Sequence, residues 1–142
     1  MNGHGAPGGL VHLGVIVRRL ESAEAIYGRL GLRPTERATV DRENLRITFF
    51  PAGSAEIELL EPLTRDGPLG RFLAARGEGI HHVALEVPDI EEALVRARAA
   101  GVRLIDAVPR AGARGSRIAF LHPEALHGLL VELVERPRDT AR

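Results

Sequence analysis

The chain has 142 residues, 44% of them hydrophobic, enough for one domain with a sizeable core or for two small halves sharing one. Its formal charge balances at zero with acidic and basic residues interspersed, which speaks against nucleic acid, and no apolar run approaches the roughly 18 residues of a membrane span. Cys and Lys are absent and the 19 basic residues are all Arg, so disulfides, thiolate nucleophiles, Schiff bases and a P-loop lysine are excluded.

Ser22, Ser54 and Ser116 are the only serines and none stands in a G-x-S-x-G setting, which disfavours a serine hydrolase. Carboxylate, imidazole and metal chemistry remain. No charged segment precedes an apolar one at the start of the chain, so a soluble cytoplasmic protein is expected.

Residues 1–9, "MNGHGAPGG", read as a flexible tail in which His4 carries no weight. A β-branched apolar run predicts a strand over 11–17, followed by a helix that ends at Gly31. A short extended stretch over 33–38 and strands at "RITFF" and "EIELLE" come next, the last two separated by turn-rich "PAGSA". Residues 63–79 form a linker in which "PLGRFLAARG" suits a brief helix with Pro68 in its first turn. A strand over 83–87 follows, and then a helix. Asp89 and Glu92 resemble its capping box, Ile90, Ala93, Leu94 and Ala97 keep helical spacing, and Gly101 suits the C-terminal glycine. An extended stretch over 103–108 leads to strands at "RIAFL" and "LLVELVE", joined by "HPEALHG"; residues 137–142 read as a second tail.

The chain is written twice. At an offset of 70, His12 falls on His82, Leu20 on Ile90, Glu21 on Glu91 and Gly31 on Gly101; "RITFF" matches "RIAFL" at 71, and Glu58 meets Glu132 at 74. Each half reads β-α-β-β-β. The expectation is a single domain, 10–136, of two modules, 10–62 and 80–136.

The repeat singles out four positions. His12 and His82 each stand at the mouth of an apolar strand, and Glu58 and Glu132 each interrupt an apolar third strand, where a carboxylate is costly to bury unless paired or metal-bound. If a pseudo-twofold relates the halves, these four side chains converge on one centre, and their donor set suits a divalent first-row metal. Taken singly, such a histidine is usually structural and such a glutamate usually solvated; their symmetric recurrence favours the ligand reading. His81 is placed in a supporting or surface position, and Glu56, Glu61 and Glu135 read as solvated strand-edge charges. His122 and His127 suit a lining or a surface role equally. Arg110, Arg114 and Arg117 suit an exposed loop or, the favoured reading, a cationic rim for an anionic ligand.

With "IELLEPL", "GEGIHHVALEVPDIEEAL", "GVRLID", "AFLHP" and "LLVELVE" in view, the sequence from about residue 11 to 135 resembles the vicinal-oxygen-chelate (glyoxalase-like) superfamily, and within it the methylmalonyl-CoA epimerase family. That resemblance implies an α+β fold of two tandem modules forming a cupped mixed sheet around a metal site. It further implies an isomerase of propionyl-CoA metabolism that removes and returns the C2 proton of methylmalonyl-CoA through a metal-stabilised enolate. His12, Glu58, His82 and Glu132 take the family's metal positions, the second being Gln in some members. The ion is divalent, with Co²⁺, Mn²⁺, Ni²⁺, Mg²⁺ and Zn²⁺ as candidates. An acyl-CoA partner and a homodimer are implied, and neither nucleic acid nor membrane.

Glu132 is the expected catalytic base. Arg114, Ser116, Arg117 and His122, in and beyond the Gly-rich loop, are the expected substrate contacts. Some epimerases carry a second base in the strand matching "RITFF", which holds no carboxylate here; the second catalytic group is left to Glu43, just upstream, which would reach in from a loop, to Glu58 or to a metal-bound water. "HGLLVEL" also sets His127 where many relatives have a small residue. A glyoxalase I, a dioxygenase of the same superfamily, or a non-enzymatic small-molecule binder of the same fold are the alternatives.

Overall fold

The computed structural model describes residues 8–138; residues 1–7, His4 among them, and 139–142 lie outside the described part. The chain divides into two units, one holding residues 12–81 and the other the residues from 82 onward together with those up to Val11. Among the described residues no helix is long and apolar enough to cross a membrane.

The first unit holds most of β1 (Leu10–Ile16), then α1 (Leu20–Arg29), β2 (Glu36–Val40), a 3-10 turn (Asp41–Glu43), β3 (Leu45–Ala52), β4 (Ala55–Pro62) and α2 (Pro68–Arg76). Its strands lie in the order β2-β3-β4-β1, with β1 parallel to β4 and the other pairs antiparallel. Strand alternation sorts the side chains onto two faces. Val15, Phe50, Ile57 and Leu59 pack with Val17, Leu20, Ala23 and Tyr27 at α1. The opposite face takes His12, Gly14 and Ile16 from β1, Glu56, Glu58 and Leu60 from β4, and Ile47 and Phe49 from β3.

The second unit holds most of β5 (Gly79–Glu86), then α3 (Ile90–Ala99), β6 (Arg110–Ala111), β7 (Arg117–Leu121) and β8 (Val131–Glu135), in the order β5-β8-β7-β6. Val87, Ile90, Ala93, Leu94, Ala119, Leu121, Val131 and Leu133 form its core under α3. On the other face Val11 packs with Ala84, Ile118 and Val134. The Gly8 N–H donates to the Glu86 carbonyl at 2.6 Å and the Glu86 N–H to the Gly9 carbonyl at 3.2 Å.

Both halves are therefore β-α-β-β-β, as the repeat predicts. Asp89 caps α3 by accepting from the Glu92 N–H at 3.0 Å, whereas the Glu92 carboxylate turns to Arg96 at 3.1 Å instead of closing the box. One element moves. The extended stretch expected over 103–108 makes a single bridge, Leu104 with Leu121, beside the Ile105 and Asp106 N–H bonds to the Phe120 carbonyl, and the short strand is Arg110–Ala111. The reason is a side chain: Asp106 accepts from the Phe120 N–H at 2.8 Å, so a carboxylate takes the place of a ladder bond at β7.

Candidate functional site

Glu61 and Glu135 require a correction: they are not solvated edge charges. Glu61 accepts from the Leu20 N–H at 2.7 Å and Glu135 from the Ile90 N–H at 2.8 Å, each taking an orphan donor at a helix start. Around each, an arginine ties the strand to the helix. Arg46 reaches Glu21 at 2.7 Å and Glu61 at 3.2 Å, and Arg117 reaches Glu91 and, at 3.4 Å, Glu135. The arginine beside each helical carboxylate holds Glu21 and Glu91 below the usual carboxylate range, and raises Arg46 and Arg117 in turn. These clamps pin β4 to α1 and β8 to α3, and so fix the strands that carry Glu58 and Glu132.

On the face away from α1, His12 Nε2 lies 3.0 Å from Glu58 Oε2; on the face away from α3, His82 Nε2 lies 3.2 Å from Glu132 Oε2. All four side chains are buried, none of the residues more than 7% exposed. The setting is duplicated too. Glu58 stands in a cross-strand row between Gly14 and Phe49, and Glu132 in a row between Ala84 and Phe120. The His82 ring meets Phe120 edge-on at 5.4 Å. A small residue on one side leaves room for the carboxylate, and the aromatic wall on the other excludes water, conditions in which a buried Glu persists only with a partner. Imidazole nitrogen and carboxylate oxygen brought together in this way match the donor preference of a divalent first-row metal.

The neighbours fall elsewhere. His81 is half-buried against α2, its ring edge-on to Phe72 at 4.8 Å, with the Arg76 guanidinium 5.3 Å from the Phe72 centroid. Burial first, and the Arg76 charge second, push His81 down to about 4. Glu43 closes the 3-10 turn between β2 and β3, at the Leu45 end of β3. From there to Phe49, the residue opposite Glu58, is a climb of about 13 Å along the strand.

In the Gly-rich loop, Arg114 is exposed with φ 58°, and Ser116 Oγ donates to the Ala113 carbonyl at 2.7 Å. Gly112 is required there, since a Cβ would come within 2.6 Å of both Ile118 and Ser116 side-chain atoms. Arg117, expected at the rim of the ligand site, has its guanidinium between Glu91 and Glu135. Arg110 lies 3.3 Å from Asp106 and over the Phe120 ring. His122 Nδ1 accepts from the Glu124 N–H at 3.1 Å, with an Arg103 nitrogen 2.6 Å from Nε2. His127 is exposed in the left-handed conformation at the end of the turn before β8.

A profile of the Glyoxalase/Bleomycin resistance protein/Dioxygenase superfamily matches residues 11–120. The chain belongs to this superfamily. It is 40% identical to the uncharacterized protein YqjC of Bacillus subtilis, over 92% of this chain and 94% of that one. It is 34% identical to the mitochondrial methylmalonyl-CoA epimerase of Homo sapiens, over 89% of this chain and 73% of that one. Among solved structures it is similar to a variant of Streptomyces coelicolor methylmalonyl-CoA epimerase in complex with 2-nitronate-propionyl-CoA. There the TM-score is 0.87 and the identity 31%, covering 92% of this chain and 96% of that one. The resemblance drawn from "GEGIHHVALEV" and "AFLHP" is thus borne out, and with it the glyoxalase fold.

Proposed function

We propose that the protein is a metal-dependent epimerase interconverting the (R) and (S) forms of methylmalonyl-CoA, acting as a cytoplasmic homodimer. The observation that carries this reading is the buried His–Glu pair made twice, once in each module, in a chain whose relatives bear that activity in their names. In this reading His12, Glu58, His82 and Glu132 hold one divalent ion. Such an ion, when bound, polarises the thioester and carboxylate oxygens of the substrate and stabilises the charge that develops as the C2 proton leaves.

Glu132 serves as the base. Its carboxylate is buried beside the His82 ring and the Phe120 wall, so water competes poorly for the proton it carries. Arg114, Ser116 and His122 contact the acyl-CoA from the loop and the end of β7, with Gly112 giving the backbone its tight path. Arg117 contributes by holding β8 to α3.

The test is incubation of each epimer in deuterated water with protein supplied with Co²⁺ or Mn²⁺. Deuterium at C2 together with inversion supports the reading. Substrate recovered unlabelled and uninverted from metal-loaded protein rejects it.

A further inference from the structure

The loop after α3 and the end of β7 bring two nitrogen donors into contact. His122 Nδ1 accepts from the Glu124 N–H at 3.1 Å, so the ring carries its proton on Nε2, and an Arg103 guanidinium nitrogen lies 2.6 Å from that atom. Guanidinium nitrogens donate and do not accept, so the two groups meet donor to donor. We propose that Arg103 and His122 form a phosphate-binding subsite, which takes a phosphate group of the CoA portion of the ligand. The identity of that ligand rests on the epimerase reading above; the chemistry of the subsite does not.

The backbone sets both side chains, within the unit that holds the residues from 82 onward. Leu104 bridges Leu121, and the His122 N–H donates to the Arg103 carbonyl at 2.8 Å, so Arg103 and His122 lie side by side. Leu104 and Leu121 pack into the core under α3. By alternation Arg103 and His122 turn to the other face, the one that carries Phe120 and Glu132. Two strand spacings across and two residues along put the Arg103 and Glu132 Cα atoms about 12 Å apart. With Glu132 as the base, C2 comes within about 3 Å of its carboxylate, and the carboxylate of the substrate is bonded to C2 itself. An anion held at Arg103 is therefore a group far from C2, and in an acyl-CoA that group is a phosphate.

The fold does not ask for this pair. The turn over Pro123–Leu126 needs only an acceptor at its start, a task that Asp or Ser performs without a second nitrogen. A histidine there adds a donor on the far side of its ring. The first module makes the comparison: Arg33 is the counterpart of Arg103 at the offset of 70, but Pro51 stands at 71 where the second module has His122. The arginine recurs and the second donor does not. Glu124 Oε2, 3.4 Å from the Arg103 nitrogen, is the acceptor already at hand. Its side chain is 75% exposed and that of Arg103 63%, so this ion pair is weak and gives way to an incoming anion.

A phosphate group answers the arrangement. One of its oxygens accepts from the Arg103 guanidinium and another from the His122 Nε2–H, and the two donors separate to hydrogen-bond distance from the anion. The guanidinium supplies the charge, and the imidazole, held by the Glu124 N–H, supplies the direction. No covalent bond changes at this subsite.

The experiment is calorimetric titration of wild type, Arg103→Gln and His122→Asn with CoA, dephospho-CoA, pantetheine and inorganic phosphate, with the His122 ring nitrogens followed by NMR. Asn keeps an acceptor for the Glu124 N–H and removes only the Nε2 donor. Each variant should bind CoA about 10-fold more weakly or worse, and pantetheine, which has no phosphate, as wild type does. Dephospho-CoA that binds wild type as CoA does, and weakens equally in the variants, assigns the subsite to the pyrophosphate. Dephospho-CoA that binds wild type as weakly as CoA binds the variants assigns it to the 3′-phosphate. CoA bound at wild-type affinity by either variant overturns the subsite, as does an equal loss of pantetheine. Inorganic phosphate that shifts the His122 signals of a wild type unable to bind CoA keeps the subsite and removes the acyl-CoA ligand. A wild type that binds neither removes both.

Discussion

Glu61 and Glu135 do the same thing in the two modules: each closes the first turn of the helix that follows its module's first strand by accepting the leading N–H, from Leu20 at 2.7 Å and from Ile90 at 2.8 Å. Removing such a partner exposes an orphan donor and loses a favourable charge at the helix start. Glu61→Ala and Glu135→Ala should each lower stability by about 1–2 kcal/mol. Denaturant unfolding checks this. Midpoints equal to wild type for both variants would show that solvent replaces the carboxylates at no cost.

Two helical glycines should respond with opposite signs. A Cβ on Gly70 in α2 would lie 2.2 Å from the Thr64 carbonyl oxygen and 2.8 Å from the Arg65 carbonyl carbon, both backbone atoms. Gly28 in α1 has nothing within 4 Å of such an atom. Gly70→Ala should therefore destabilise by about 2 kcal/mol or more, because the preceding turn must move. Gly28→Ala should stabilise by about 0.5–1 kcal/mol through helix propensity. Thermal melts of the two variants decide, and a shared direction of change would contradict the packing.

Much of this architecture is legible in the residues. The offsets of 70, 71 and 74 pair the histidines, the helices and the strand glutamates, because a duplicated core keeps its periodicity. The clamps were legible in principle by the same route, since Glu21, Arg46 and Glu61 recur as Glu91, Arg117 and Glu135. A charged residue at a strand end nevertheless reads as solvated until the fold sets a helix N-terminus against it. The stretch over 103–108 misleads for a related reason: its composition is strand-like, but Asp106 satisfies Phe120 with a side chain, and the ladder starts later.

The pH dependence of stability should carry a signature of His81. Its folded-state value is lowered from 6.5 to about 4, chiefly by burial, so between those values the unfolded chain binds the proton more tightly than the folded one. Its contribution to stability is complete above pH 6.5 and is lost as pH falls toward 4. Between pH 7 and pH 5 the wild type should lose about 1–2 kcal/mol more than His81→Leu. Urea unfolding at the two pH values measures the difference. Equal losses would mean that His81 is solvated when folded.

We propose above that the two His–Glu pairs, one per module, serve a single metal ion. Elemental analysis of the purified protein and of His12→Ala and His82→Ala tests it most directly. The account predicts one divalent ion per chain in the wild type and its loss in both variants. Two ions per chain, or one ion retained when either histidine is removed, would show two separate sites and contradict it.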